Sequence, residues 1–484
     1  MSKPDLYPSE PAHLWEHFFQ FTQTPRPSKR EEKICEYLIA IADTHQLEHK
    51  RDAIGNIVIY VPATAGFENR PTITLQNHVD MVTVKTEDKQ HDFDQDPLNL
   101  KVENGWLMAD RTTLGADNGL GCAAALALMT DPDVEHPPLE LLFTMDEETG
   151  LGGAINLDPS LIHGTKMLNL DTEDWGELFV GCAGGRDWII TKPVTTEAIP
   201  EGYTCRRYFL RGLAGGHSGI QIHQQLGNAN KLMGQWLFHA EKLGLRLCSM
   251  QAGVAHNVIP RSATIEVAIP DGQLVSLDEL TEKLAARWVS YLPEADANLQ
   301  LSFEAAESSV MQTQDSHKDL RQLLLALPNG AQAYNIDQPA DLVDLSITVA
   351  VVKVDTKQIF IETSLRYFNS EEAEALADSV VSIAETFDAK ADEVIAYPGW
   401  QPDFSSSLLA HVSDTYERMF GQKPAQKAIH AGLECGIMLD KLDGVEAISF
   451  GPTIRGAHSP RERLEIATVA PFWELLKEVV KTIK

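Results

Sequence analysis

The sequence predicts an α/β protein with a discontinuous main domain, a mixed sheet flanked by helices, and an α+β domain inserted into it. Three observations carry this reading. Apolar strand-like runs alternate with helical patterns as far as Leu170. After Gly184-Gly185 the pattern changes to strands interleaved with longer helices. After Pro398-Gly399 it returns to a helix, a strand and a closing helix. The expected boundaries are 1–184 and 399–484 for the main domain and 185–398 for the insert.

The first stretch reads as two helices, the second opened by a capping box at Ser28-Lys-Arg-Glu31 before the apolar positions Ile34, Tyr37, Leu38 and Ile41. Gly55-Asn56 predicts a turn into a strand at Ile57–Val61. Further strands are expected at 72–77, Leu139–Thr144 and Met167–Leu170, with an Ala- and Leu-rich helix from Gly119 to Met129. In the insert, strands are expected at Arg207–Leu213, Ala263–Ile269, Ser346–Val354 and Gln358–Arg366. Helices are expected there at Asn228–Leu243, Ser276–Tyr291 and Glu371–Phe387. The last part predicts a helix at Ser405–Phe420, a strand at Val445–Phe450 and a helix at Ala467–Ile483.

Charge and composition exclude several function classes. A net charge of -30 over 484 residues disfavours nucleic acid and anionic membranes as partners, because both need concentrated Lys and Arg. No apolar run approaches the ~18 residues of a membrane span, and Met1-Ser-Lys-Pro-Asp-Leu-Tyr does not read as a signal peptide. A cytoplasmic location is the expectation. The six cysteines are scattered without a Cys-x-x-Cys pair, the distribution of reduced thiols rather than of disulfides or a thiolate zinc site.

The chemistry sits at strand ends, where α/β sheets place their ligands. The run Thr72-Ile-Thr-Leu-Gln-Asn-His-Val-Asp ends in His78 and Asp80. At i and i+2 of an extended segment both face the same way, so the carboxylate can hold one imidazole nitrogen while the other binds a metal. Four more segments bring acids or imidazole: Leu114-Gly-Ala-Asp117-Asn-Gly, Phe143-Thr-Met-Asp-Glu147-Glu148, Leu168-Asn-Leu-Asp171-Thr-Glu173 and Gly456-Ala-His458-Ser-Pro460. Singly, each has a plain reading: an N-cap, a solvated acidic turn, a surface histidine. Together they supply nitrogen and oxygen donors for two divalent cations, zinc first, with cobalt or manganese as alternatives. Of the adjacent Glu147 and Glu148, treated as strand-end neighbours, one serves as ligand and the other as general base.

This series resembles the di-zinc aminopeptidase, aminoacylase and dipeptidase superfamily. The segments Asn77-His-Val-Asp-Met-Val, Gly115-Ala-Asp-Asn-Gly, His430-Ala-Gly-Leu-Glu-Cys-Gly436 and Gly456-Ala-His-Ser-Pro-Arg-Glu-Arg463 resemble its aminoacyl-histidine dipeptidase branch over essentially the whole chain. The resemblance implies two Zn2+ per chain, replaceable by Co2+ or Mn2+. Asp117 would bridge them, His78 and Asp171 would complete one site, and Glu148 and His458 the other. It also implies a non-proline cis peptide after Asp117, Asp80 orienting His78, and Glu147 as general base. The reaction implied is metal-assisted hydrolysis of dipeptides, Xaa-His and β-alanyl-histidine included.

The insert would be a lid through which two copies form a homodimer. His217, in Gly215-Gly-His-Ser-Gly219, matches a family histidine that stabilises the oxyanion; its plain reading is an exposed residue on a glycine turn. Asn257, in His256-Asn-Val-Ile-Pro260, and Arg366 match residues that bind substrate, Arg366 through the peptide's C-terminal carboxylate. Glu434 and Arg461 lie in matching segments without an assigned role. An aminotripeptidase or N-acyl amino acid deacylase with the same metal centre is the enzymatic alternative, and a metal-binding scaffold without activity the non-enzymatic one.

Overall fold

The computed structural model describes residues 2–335 and 342–484. Contacts divide the chain into two units: Met1–Gly181, Pro402–Ala428 and Leu433–Lys484 form the first, and Cys182–Gln401 with Ile429–Gly432 the second. The return of Ile429–Gly432 to the second unit was not foreseen, because no change of composition marks so short a segment.

The first unit is built on an eight-stranded sheet in the order Glu48–Arg51, Ile57–Val61, Leu139–Thr144, Ile73–His78, Lys166–Asn169, Glu446–Ser449, Glu177–Cys182, Ala425–Ile429. Its middle is parallel: Ile73–His78 pairs with Leu139–Thr144 on one side and Lys166–Asn169 on the other, and Glu446–Ser449 continues this direction. The first pairs at the other edge are antiparallel, so the sheet is mixed. Every residue of Ile73–His78 and Leu139–Thr144 is buried, as expected of parallel strands covered on both faces. Helix Ala116–Thr130 is buried from Asn118 to Leu128, and its alanines and glycines let it pack closely on its neighbours. Among these is the aromatic-rich helix Ala12–Gln23.

A small four-stranded sheet, ordered Ile454–Arg455, Arg463–Glu465, Trp106–Ala109, Leu100–Glu103, completes this unit. It positions two site segments together. The loop of the 454–465 hairpin carries His458, while Arg463–Glu465 pairs with Trp106–Ala109, the strand just before the loop to Asp117.

The second unit is an antiparallel sheet ordered Gln300–Ala305, Tyr203–Arg211, Ala263–Pro270, Arg246–Ala252, Val343–Val354, Gln358–Tyr367, Gly184–Pro193, Lys390–Tyr397. Gly330–Tyr334 pairs with Val343–Val354 beside this path. Leu345, Ile347 and Val349, with Ile361, Leu365 and Tyr367, point to a core shared with helices Ala229–Ala240, Leu274–Val289 and Ser370–Thr386. The alternate residues form a second face that is polar yet buried: Ser346, Thr348, Ser364 and Arg366.

The Ala- and Leu-rich helix has regular angles from Gly119, as expected, because Asp117 and Asn118 before it are non-helical. Two local expectations are corrected. Ser28 is not a helix cap: helix Glu32–Thr44 starts after Glu31 without a side-chain cap. The Ser28 hydroxyl bonds Asp80 instead, and Glu31 accepts the Lys29 and Asp146 N–H groups at 2.9 and 3.0 Å. Second, Glu147 and Glu148 are not strand-end neighbours. The strand ends at Thr144, and Asp146, at φ 50°, turns the chain so that both acids sit in the following turn.

All six cysteines are free, five of them buried. Among the described residues no helix is long and apolar enough to cross a membrane.

Candidate metal centre

The ends of the parallel strands and the hairpin loop bring five side chains of the first unit into two donor groups. His78, Asp117 and Asp171 offer ligand atoms within 4.8 Å of one another, and so do Asp117, Glu148 and His458. Asp117 belongs to both. Its Oδ1 lies 2.9 Å from His78 Nε2 and its Oδ2 lies 3.2 Å from His458 Nε2. His78 Nε2 is also 3.4 Å from Asp171 Oδ1, and His458 Nε2 is 3.0 Å from Glu148 Oε2. The Asp117–Asn118 peptide is cis. The Asn118 amide donates to the Leu170 carbonyl at 3.0 Å and to Asp171, tying the two carboxylate segments together.

Asp80 does two things at once. Its Oδ1 lies 3.3 Å from His78 Nδ1. Its two oxygens also accept the N–H groups of Glu147 and Glu148 at 3.0 and 3.2 Å. One fully buried carboxylate thus orients the imidazole and anchors the turn that carries both glutamates. A further group within ligand distance, His78 with Glu147 and Glu148, places a Glu147 oxygen beside the centre.

Electrostatics fit cations. Burial opposes charge on His78, but Asp171, Asp117 and Asp80 outweigh it and hold the imidazole well above its ordinary value. Asp117 and Glu148 hold His458 up at about 11 against its burial. Burial raises Asp117, yet the two imidazoles keep it well below the usual carboxylate range. Burial lifts Glu147 well above that range, His78 opposing and Glu148 adding to the rise. Acids that hold protons on two imidazoles supply the negative charge that a divalent cation would need in the protons' place. The donors are imidazole nitrogen and carboxylate oxygen, which suits zinc, cobalt or manganese. Cys122 offers no thiolate: burial pushes its thiol up to about 12, and its Sγ donates to the His78 carbonyl at 3.1 Å.

Two supporting residues escaped the sequence reading. Glu462 accepts the N–H groups of Leu114, Gly115 and Ala116 at 2.7, 3.0 and 2.7 Å, a carboxylate seated in the turn before Asp117. Arg26, 1% exposed, donates to the carbonyls of Val79 and Asp80 at 2.8 and 2.7 Å and to that of Gly115. It therefore joins the His78–Asp80 loop to the Asp117 loop. A Cβ at Gly115 or Gly119 would collide with this guanidinium, which explains both glycines of Gly115-Ala-Asp-Asn-Gly119. No periodicity announces an arginine before Pro27, and only the quoted Gly456–Arg463 segment hinted at Glu462.

Glu434 lies beneath the sheet, where its Oε2 accepts from Gln76 Nε2 and Thr144 Oγ1, both at 2.6 Å. Burial raises it to about 7. Arg461 is exposed, and its N–H bonds Ser459 Oγ at 3.2 Å.

In the second unit, the segments carrying His217, Asn257 and Arg366 meet at Ser218. Strand Gly216–His217 pairs with Val258–Ile259, and the Ser218 N–H donates to the Asn257 carbonyl at 2.9 Å. Ser218 Oγ lies 3.5 Å from Arg366 Nε. His217 Nδ1 accepts the N–H groups of Gly219 and Ile220, each at 3.1 Å, so the neutral ring carries its proton on Nε2.

Comparison with known proteins places these features in a family. The model of peptidase family M20/M25/M40 matches residues 74–482. The cytosol non-specific dipeptidase of Escherichia coli K12 is 38% identical over 481 residues, 99% of each chain. The crystal structure of aminoacylhistidine dipeptidase from Vibrio alginolyticus is 37% identical with a TM-score of 0.86, covering 98% of this chain and 97% of that one. An aminopeptidase from Bacillus cereus shares the fold at 15% identity and a TM-score of 0.54, over 97% of this chain and 98% of its own. The chain belongs to peptidase family M20/M25/M40.

Proposed function

We propose that this chain is a two-metal dipeptidase hydrolysing unblocked dipeptides, Xaa-His and β-alanyl-histidine included. The observation that carries the reading is the pair of donor groups sharing Asp117, with Glu147 beside them. Full-length likeness to the Escherichia coli cytosol non-specific dipeptidase and the Vibrio aminoacylhistidine dipeptidase supports the substrate class. His78 and Asp171 would hold one Zn2+, and Glu148 and His458 the other, with Asp117 between; Co2+ or Mn2+ would substitute. When bound, the two ions supply an acidified water and a Lewis acid for the scissile carbonyl.

This chain's own residues do the rest. Glu147 takes a proton from the attacking water and returns it to the leaving amine. Asp80 keeps His78 in register and fixes the turn from which Glu147 works. His217 donates Nε2–H to the developing oxyanion, its tautomer set by the two N–H groups on Nδ1. Asn257 contacts the peptide, and Arg366 binds its C-terminal carboxylate. The 1–184 and 399–484 segments serve as catalytic domain and 185–398 as lid, through which two copies form a homodimer in the cytoplasm.

Chelation and a substrate panel test this reading together. Activity on alanyl-histidine and β-alanyl-histidine should vanish with a chelator and return with zinc or cobalt. A tripeptide and an N-acetyl amino acid should be poor substrates. Preference for either would favour the aminotripeptidase or deacylase alternative. Hydrolysis indifferent to chelation would overturn the metal mechanism.

A further inference from the structure

Among the described residues, the buried polar face of the second unit's sheet holds a cation without an ion-pair partner and an imidazole nitrogen without a hydrogen-bond partner. Ser346 lies directly across from Arg366 in the ladder. Arg366 also opposes Gly185, which opposes Tyr397, so all three side chains share a face. Arg366 is 6% exposed. Its hydrogen-bond partners are neutral, Ser218 Oγ at 3.5 Å and Tyr397 Oη at 3.2 Å. Among the described residues no carboxylate forms an ion pair with it. Asp187, on the same face, is engaged by His256 Nδ1 at 2.6 Å. A guanidinium removed from water and given only neutral partners is costly unless an anion joins it.

His430 covers this face from the short returning segment Ile429–Gly432. Its Nε2 lies 2.8 Å from Ser346 Oγ, and its ring sits 5.7 Å from that of Phe368. Gly219 separates its backbone from Arg366: a Cβ there would collide with the His430 carbonyl oxygen and press on Arg366 Nε. His430 is 6% exposed, yet among the described residues its Nδ1 has no hydrogen-bond partner. Burial first, then Arg366, hold the ring down at about 3, so it is neutral and one nitrogen carries a proton. The Ser346 hydroxyl can donate to Nε2 or accept from it; the tautomer in which it donates carries the ring proton on Nδ1, and it is the one a carboxylate at Nδ1 would select.

The geometry points to a two-part carboxylate pocket, in which Arg366 supplies the charge and His430 Nδ1–H a second, directional hydrogen bond to the substrate's C-terminal carboxylate. His430 is then a specificity-determining residue that favours a free carboxylate over a neutral end. This rests on the dipeptidase reading, and on Arg366 as the carboxylate partner within it.

The test uses the full-length metal-loaded enzyme and compares alanyl-histidine with its C-terminal amide. His430→Gln places its amide near the Nε2 position, keeping the link to Ser346 and losing Nδ1; His430→Asn does the reverse. His430→Gln should lower the dipeptide-to-amide ratio of kcat/KM about tenfold, through KM, as for a lost hydrogen bond to a charged group. His430→Asn should retain most of that ratio. A ratio unchanged in His430→Gln, or one that falls equally in both variants, overturns the role of His430. Arg366→Ala separates this from the underlying reading. If Arg366→Ala abolishes the discrimination and His430→Gln does not, only His430 is misassigned. If the wild type makes no distinction between dipeptide and amide, or Arg366→Ala preserves it, the carboxylate pocket itself is wrong.

Discussion

Replacing Glu147 by glutamine is expected to lower kcat on alanyl-histidine by about 10²- to 10⁴-fold while leaving metal content at the wild-type level. The amide has the shape of the acid but cannot take a proton. The turn should survive, because it is anchored through the Glu147 and Glu148 N–H groups on Asp80 rather than through the Glu147 side chain. Glu147 also lies outside the two donor groups that share Asp117, so the assigned ligand set stays complete. Steady-state kinetics with elemental analysis of the same sample checks both halves. Near-normal kcat would remove Glu147 from proton transfer, and loss of metal would make it a ligand.

Glu462→Ala is expected to produce the largest loss of stability, about 3 kcal/mol or more from the first unit. The carboxylate satisfies three consecutive buried N–H groups, and each donor left without a partner costs about 1–3 kcal/mol. The loss should spread to the metal centre, because the turn it stabilises leads directly into Asp117. Arg26, bonded to the Gly115 carbonyl of that turn, would lose a firm anchor too. Glu462→Gln, with one acceptor oxygen, should fall between alanine and wild type. Denaturant unfolding of the metal-free proteins measures the stability term without metal linkage. An alanine variant as stable as the wild type would mean that water satisfies the turn equally well.

Much of the candidate site was legible because strand-end chemistry is local. A buried β-branched run stopping at His78, a glycine-flanked Asp117 and an acid after an apolar strand each leave a mark within a few residues. The residues that hold those groups in register leave none. Arg26 and Glu462 reach the Asp117 turn from opposite ends of the chain, and Ser28 reads as a cap while bonding Asp80. Glu147 and Glu148 came out adjacent to the centre for a reason other than alternation along a strand: the left-handed turn at Asp146 and the two N–H groups held by Asp80.

The fold shows the same division. Strands buried on both faces, such as Leu139–Thr144, stand out by their apolar residues, here Leu141, Leu142 and Phe143 in succession. Gly184–Pro193 begins with two glycines, which read as a break, yet it lies inside the second sheet between Gln358–Tyr367 and Lys390–Tyr397. Lys390–Tyr397 is an edge strand with several exposed residues, so no apolar alternation announces it.

The central claim is that Asp117 is shared between two cation sites, and metal stoichiometry tests it most directly. Purified wild type, His78→Ala and Asp117→Ala would be titrated with zinc by calorimetry and assayed for bound metal. The account predicts two equivalents per wild-type chain, one after loss of His78 and loss of both tight sites after loss of Asp117. One equivalent in the wild type, or an Asp117→Ala variant that still binds one zinc as tightly as His78→Ala does, would contradict it.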